Sequence, residues 1–292
     1  MNFPHLAQRL FNVPLAIHPR KAEVVMAALS ERLGVSRIMR LDGNAVTPMA
    51  GWNDGDEDFS ASGRNPRAGY DLVEGVAVIQ VQGTLVQKLG TLRPWSGMTG
   101  YDGIRQNFLT ALSDPEVGAI ALDIDSPGGE VAGCFDLVDT IHQARGQKPI
   151  WSILDESAYS AGYAIASAAD RIVVPRTGGT GSIGVIAMHV DLSQALSAAG
   201  ITVTVINYGE RKADGAPEFP LSPEALERFQ ADIDTMGELF VETVARNRAL
   251  PAAKVRDTQA ATYLGASGVE LGLADEVMAP DAAFLALLQA LG

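Results

Sequence analysis

From Tyr70 onward, short apolar runs alternate with segments whose apolar residues recur every three or four positions. Val76–Val81 reads as a strand that Gly83 ends, and Tyr101–Leu112 as an amphipathic helix. Ala119–Ile124 is apolar at every position but Asp123, the mark of a strand buried on both faces. Glu130–Ala144 reads as a helix, Pro149–Leu154 as a strand and Ala161–Ala169 as a small-residue helix. Arg171–Val174 and Ile183–His189 read as further strands. Gln194–Ala199 is a helix closed by Gly200, followed by a strand over Val203–Asn207. Pro223–Arg248 places Leu226, Phe229, Ile233, Met236, Leu239, Phe240 and Val244 at helical spacing, with Ser222 as N-cap and Pro223 at the first position. The alternation predicts an α/β domain built from βαβ-type units. The sequence contains no internal repeat.

Before Tyr70 the pattern changes. Arg20–Gly34 has helical spacing at Val24, Val25, Ala28, Leu29 and Leu33. Residues 41–70 are rich in Gly, Asp, Asn and Ser and read as a linker. The expected organisation is an N-terminal arm over residues 1–69, with one helix and a flexible linker, and a compact domain over 70–292.

Charge and composition narrow the function. A chain of 292 residues can bury a substantial core. Its net charge of −13 argues against a nucleic-acid binder, which needs a basic face to displace counterions from phosphates. The single cysteine, Cys134, allows no internal disulfide and reads as a small buried apolar residue. No zinc-type Cys/His spacing occurs, so no metal is expected. Met1–Arg20 lacks the apolar core of a secretory signal, and no run reaches the roughly 18 apolar residues of a membrane span.

Amide hydrolysis needs a nucleophile, a base and donors for the oxyanion. Asp125-Ser126-Pro127-Gly128-Gly129 follows a buried strand and precedes an expected helix, where two glycines let the backbone turn and expose its N–H groups. Ser160, in Tyr159-Ser160-Ala161-Gly162-Tyr163, repeats that strand-to-helix setting on the next strand. Together the two turns would bring the Gly128, Gly129 and Ala161 amides near one hydroxyl. A serine at such a place is also a common helix cap. For the base, His142 and His189 are available, but the first lies late in an amphipathic helix and the second ends a strand. Lys212, flanked by Gly209 and Gly215, reads either as a solvated charge or as a base on a loop over a cleft. A lysine serves as base only when desolvation or a nearby cation strips its proton near neutrality. Ser182, in Thr180-Gly181-Ser182-Ile183-Gly184, is placed either to hydrogen-bond that amine or to stabilise its own turn.

These motifs resemble the signal peptide peptidase A family of Ser/Lys serine peptidases over roughly residues 70–280. The resemblance is carried by Asp125–Gly129, Ser160–Tyr163, Ala166–Asp170, Thr180–Val185, Lys212 and Gly272–Val277. Within the family the chain looks most like the capsid-assembly (prohead) proteases of lambda-like phages. That narrower match rests on Phe3–Leu6 with Phe11–Leu15, on Gln82–Lys88 and on Pro94–Tyr101. The resemblance implies a spiral of ββα units, as in the Clp protease subunit and the crotonases, and ring-like or dome-like homo-oligomers. It implies a cofactor-independent endopeptidase with Ser160 as nucleophile, Lys212 as base, Gly128, Gly129 and Ala161 around the oxyanion, and Ser182 in support. The serine and lysine could pair within one chain or between two. Expected substrates are scaffold, portal and the chain's own termini, inside an assembling prohead in the host cytoplasm, with no nucleic acid or membrane partner. Membrane-bound bacterial members begin with an anchor that this sequence lacks. Longer phage members continue into a scaffold region, which here would be missing or separately encoded. Two other readings stay open: an acyl-CoA enzyme of crotonase type, and a catalytically silent assembly factor.

Overall fold

In the computed structural model, the described residues are 13–19 and 69–291. The helix expected over Arg20–Gly34 lies outside them, as do residues 41–68 of the linker expected over 41–70. The first strand, β1 (Leu15–Ile17), is followed by β2 (Asp71–Val73), β3 (Val76–Val86), β4 (Met98–Gly100) and helix α1 (Tyr101–Ser113). Next come β5 (Ala119–Glu130), α2 (Cys134–Gln143), β6 (Ile150–Ala158), α3 (Ala161–Ser167), β7 (Arg171–Val174) and β8 (Gly179–Gly181). The remainder comprises α4 (Ser193–Ala198), a 3-10 turn (Glu210–Ala213), α5 (Pro223–Arg248), α6 (Ala252–Arg256), β9 (Thr262–Leu264), α7 (Gly265–Glu270), β10 (Glu276–Val277) and α8 (Pro280–Ala290).

The central sheet runs β10-β7-β6-β5-β3-β2. Along this path it is parallel from β10 to β3 and antiparallel at the β2 edge, and β1 adds to β5 antiparallel. Strand β5 explains how the layers close. Its Ile120, Leu122 and Ile124 face one core, shared with Ile104 and Phe108 of α1, Leu137 and Ile141 of α2 and Phe240 and Val244 of α5. Its Ala119 and Ala121 face the other, covered by Ala283 and Leu287 of α8. A strand buried on both faces needs apolar residues at nearly every position, and the one polar residue of the run, Asp123, is half-buried and accepts from the Gln82 side chain. Each buried Ile, Leu, Val or Phe side chain contributes about 1.5–3 kcal/mol, and each alanine methyl less. The result is a mixed α/β domain with a mostly parallel sheet.

Three expectations are corrected by strand pairing. Gly83 does not end β3, which bulges there and continues to Val86. Gly83, at φ 66°, takes the backbone through the bulge, where a Cβ would meet the Gly97 backbone. Strand β5 likewise runs through Asp125–Gly129 to Glu130, because β3 continues to pair with it at Gly128 and Gly129. Helix α2 therefore starts only at Cys134, so the glycine pair sits in a strand and not at a helix N-terminus. Thirdly, Ile183–His189 and Val203–Asn207 form no regular strands. Only an isolated bridge joins Ile186 to Leu15.

Candidate active site

Strand β6 ends at Ala158, and two residues later the chain turns into α3. Ser160 occupies that turn at φ 53° and ψ −122°, a conformation of high energy for a residue with a side chain. Holding it costs on the order of 1–3 kcal/mol, so neighbouring bonds must enforce it. They do: the Ser160 N–H donates to the Gly181 carbonyl at 2.9 Å, and the Tyr159 N–H donates to the Ser126 carbonyl at 2.9 Å. The Ser160 hydroxyl does not cap its helix. Its Oγ instead lies 3.4 Å from the Gly184 carbonyl, and the residue is 1% exposed. The capping role open to this serine is thus not the one it adopts.

Close packing around the turn depends on small residues. A Cβ on Gly162 would stand 3.0 Å from the Ser126 Cβ, so glycine lets α3 lie directly against β5. Gly128 has φ 102°; a Cβ there would collide with the Ala16 carbonyl oxygen and stand 2.9 Å from the Ser160 Cβ. The Gly128 N–H donates to Ser126 Oγ at 3.1 Å, and that hydroxyl donates to the Gly83 carbonyl at 2.7 Å. Gly129 sits between β3 and β1, paired with Leu85 and Ala16. Ala161 is the first residue of α3, where N–H groups lack intrahelical partners. Ser182 follows Gly181 at φ 55°, buried, its N–H bonded to the Ala261 carbonyl at 2.8 Å.

Behind the turn, the other end of α3 is fixed by Arg145. Its guanidinium donates to the carbonyls of Ser167 (2.8 Å), Ala168 (2.9 Å) and Ala169 (2.6 Å), and to that of Asn247 in α5 (3.0 Å). These are helix-terminal acceptors that would otherwise lack partners. Tyr163 adds a bond from its hydroxyl to the Leu273 carbonyl at 2.8 Å. Sequence pattern gives no signal for Arg145 or Ser126, since both roles depend on which carbonyls the fold brings near.

Lys212 stands apart. It lies exposed on the 3-10 turn, which Asp214 ties to α5 through an ion pair with Arg228 at 2.6 Å. Among the described residues no hydrogen bond joins Lys212 to Ser160 or Ser182. The chain leading to it is apolar and uncovered: Ile206 is 95% and Tyr208 100% exposed. The structure therefore groups Ser160 with Gly128, Gly129, Ala161 and Ser182, and leaves Lys212 on a projecting arm. His142 lies in the last turn of α2, where burial and the cations of Arg145 and Arg246 favour its neutral form. In the middle of β5, burial and the nearby carboxylates of Asp155 and Asp125 raise Asp123 to about 6.

Residues 142–291 match the family described as peptidase family S49. Over 282 residues the chain is 39% identical to "Capsid assembly protease C" of Escherichia phage lambda, covering 95% of this chain and 63% of that protein. It is also 39% identical over 277 residues to "Head-tail preconnector protein GP5" of Enterobacteria phage P21, covering 95% of this chain and 55% of that protein. A more distant relative, "Serine protease SPPA, chloroplastic" of Arabidopsis thaliana, is 26% identical over 88% of this chain and 37% of its own. The chain belongs to peptidase family S49. It spans less than two thirds of the length of either phage relative.

Proposed function

We propose that this chain is a serine endopeptidase of phage prohead assembly in which Ser160 and Lys212 form the catalytic pair. The observation that carries the reading is Ser160 itself: a buried hydroxyl held at positive φ on a strand-to-helix turn, against Gly128, with no capping duty. Strain of this kind at a nucleophile turn holds the oxygen where a substrate carbonyl can meet it. Ser160 Oγ attacks the scissile carbonyl. Neutral Lys212 takes its proton and returns it to the leaving amine. The Gly129 and Ala161 amides hold the oxyanion, Gly128 supports the bend, and Ser182 orients the lysine. No cofactor takes part. The mostly parallel sheet supports the finer expectation of a ββα spiral like that of the Clp protease subunit and the crotonases.

The exposed arm favours a dyad completed between subunits of a homo-oligomer. Ile206 and Tyr208 would be covered by a neighbouring copy, and Lys212 would then enter that copy's site. The substrates are scaffold and portal proteins and the chain's own termini, inside a prohead in the host cytoplasm. No helix among the described residues is long and apolar enough to cross a membrane. The test is co-expression with the neighbouring capsid genes and mass spectrometry of new termini. Ser160→Ala and Lys212→Ala each abolish new termini while the protein stays folded, and Lys212→Arg does not rescue because guanidinium keeps its charge. Cleavage retained in Ser160→Ala would discard the nucleophile.

A further inference from the structure

Strand β6 leaves the sheet at Ala158, which vacates the edge of β5 beyond Ser126. The chain's own β1 fills that edge. It pairs antiparallel, with Leu15 opposite Glu130, Ala16 opposite Gly129 and Ile17 opposite Gly128. Outside these pairs, the His18 N–H donates to the Pro127 carbonyl at 2.7 Å and the Val131 N–H to the Pro14 carbonyl at 3.4 Å. On its other side β1 is clasped by Ile186, whose N–H and carbonyl both bond Leu15, at 2.9 and 2.8 Å. An extended peptide held between two backbones beside a nucleophile is strand addition at a sheet edge, a general mode of peptide recognition.

The register singles out one peptide bond. Bonded pairs alternate along an antiparallel ladder, so Ala16/Gly129 lies between the bonded pairs Pro14/Val131 and His18/Pro127. This directs the Gly129 N–H at the Ala16 carbonyl. The same carbonyl oxygen and the Ser160 Cβ both crowd the point where a Gly128 side chain would be. Side chains alternate accordingly. Leu15 and Ile17 pack with Val13, Ile186 and Met188, while the Ala16 methyl turns into the main core and is 1% exposed. Past the bond, the His18 ring lies 5.3 Å from the Tyr159 ring.

We propose that the groove between Gly128–Glu130 and Ile186 is the peptide channel of the enzyme, and that Pro14–His18 is its first substrate, cut between Ala16 and Ile17. The inference rests on Ser160 as nucleophile. Ser160 Oγ bonds to the Ala16 carbonyl carbon, and the C–N bond to Ile17 breaks. The serine proton passes through the base to the Ile17 amine. Water then hydrolyses the ester, leaving the Ala16 carboxylate and restoring the hydroxyl. Residues 1–16 depart and the channel opens to other chains. The packing of the Ala16 methyl makes a small residue the requirement before the cut bond.

The test compares the full chain with its Ser160→Ala variant by intact mass and N-terminal sequencing after co-expression with scaffold. The wild type is expected to begin at Ile17, and Ser160→Ala to keep residues 1–16. A synthetic peptide copying residues 11–20, added to the wild-type protein, should be cut at the same bond, and at least tenfold more slowly when Phe replaces its alanine. An N-terminus intact in protein that processes scaffold overturns this inference and leaves Ser160 as nucleophile. Trimming that persists in Ser160→Ala overturns both.

Discussion

The Ser160 turn and the Lys212 turn are both short and glycine-rich, yet the fold treats them oppositely. Ser160 is buried, held at positive φ by backbone bonds to Gly181 and, through Tyr159, to Ser126, and backed by a helix whose far end Arg145 ties down. Lys212 is exposed, on a turn that the ion pair of Asp214 with Arg228 ties to α5. One half of the proposed dyad is built into the core; the other projects on an apolar arm. On the proposed reading, the nucleophile is preformed within one chain and its activation waits for the arm to be covered by another.

Substitutions sharpen that contrast. The largest effect on stability is expected from Arg145→Ala, which strips four carbonyls of their donor at once. A loss of about 3 kcal/mol should appear in urea unfolding; a loss under about 1 kcal/mol would mean that α3 is held otherwise. Gly128→Ala comes next. Its side chain has no room beside Ala16 and Ser160, and its φ of 102° strains any L residue. About 2 kcal/mol should be lost, with at least a hundredfold fall in cleavage of scaffold. Ser160→Gly should be more stable than Ser160→Ala by about 1 kcal/mol, because glycine accepts the backbone that alanine must endure. Equal stabilities would show that the turn relaxes once the hydroxyl is gone.

Asp123 gives the smallest effect. Its carboxyl is raised from 3.8 to about 6, first by burial and then by Asp155 and Asp125, against a bond from Gln82. Between those values the folded protein holds a proton that the unfolded chain has released, so stability from this group falls as pH rises through about 4 to 6. Asp123→Asn should therefore stabilise at pH 7.5 by about 1 kcal/mol, a figure reduced for partial solvent access, and should give no gain at pH 4. Thermal melts at the two pH values read the difference.

Much of this was legible in the sequence where local pattern and tertiary need coincide. Pro223–Arg248 forms the expected helix, with the Ser222 hydroxyl accepting from the Ala225 N–H at 3.1 Å. The Ser160 turn was legible from small residues after an apolar run. Strand ends were not, because Gly83 and Gly128–Gly129 read as stops until a neighbouring strand supplies the ladder that carries them through. Val203–Asn207 has the alternation of a strand but pairs with no strand among the described residues, and periodicity cannot report a missing partner. Arg145 was illegible for the same reason: its acceptors meet only after folding. So was the docking of Leu15–Ile17, a three-residue stretch with no periodicity of its own.

The most direct measurement of the central claim is labelling with a serine-reactive fluorophosphonate, with the modified residue located by mass spectrometry. Labelling confined to Ser160 in the wild type, and lost in Lys212→Ala without loss of fold, is the predicted result. A label on another serine, or equal labelling of Ser160 with and without Lys212, would contradict it.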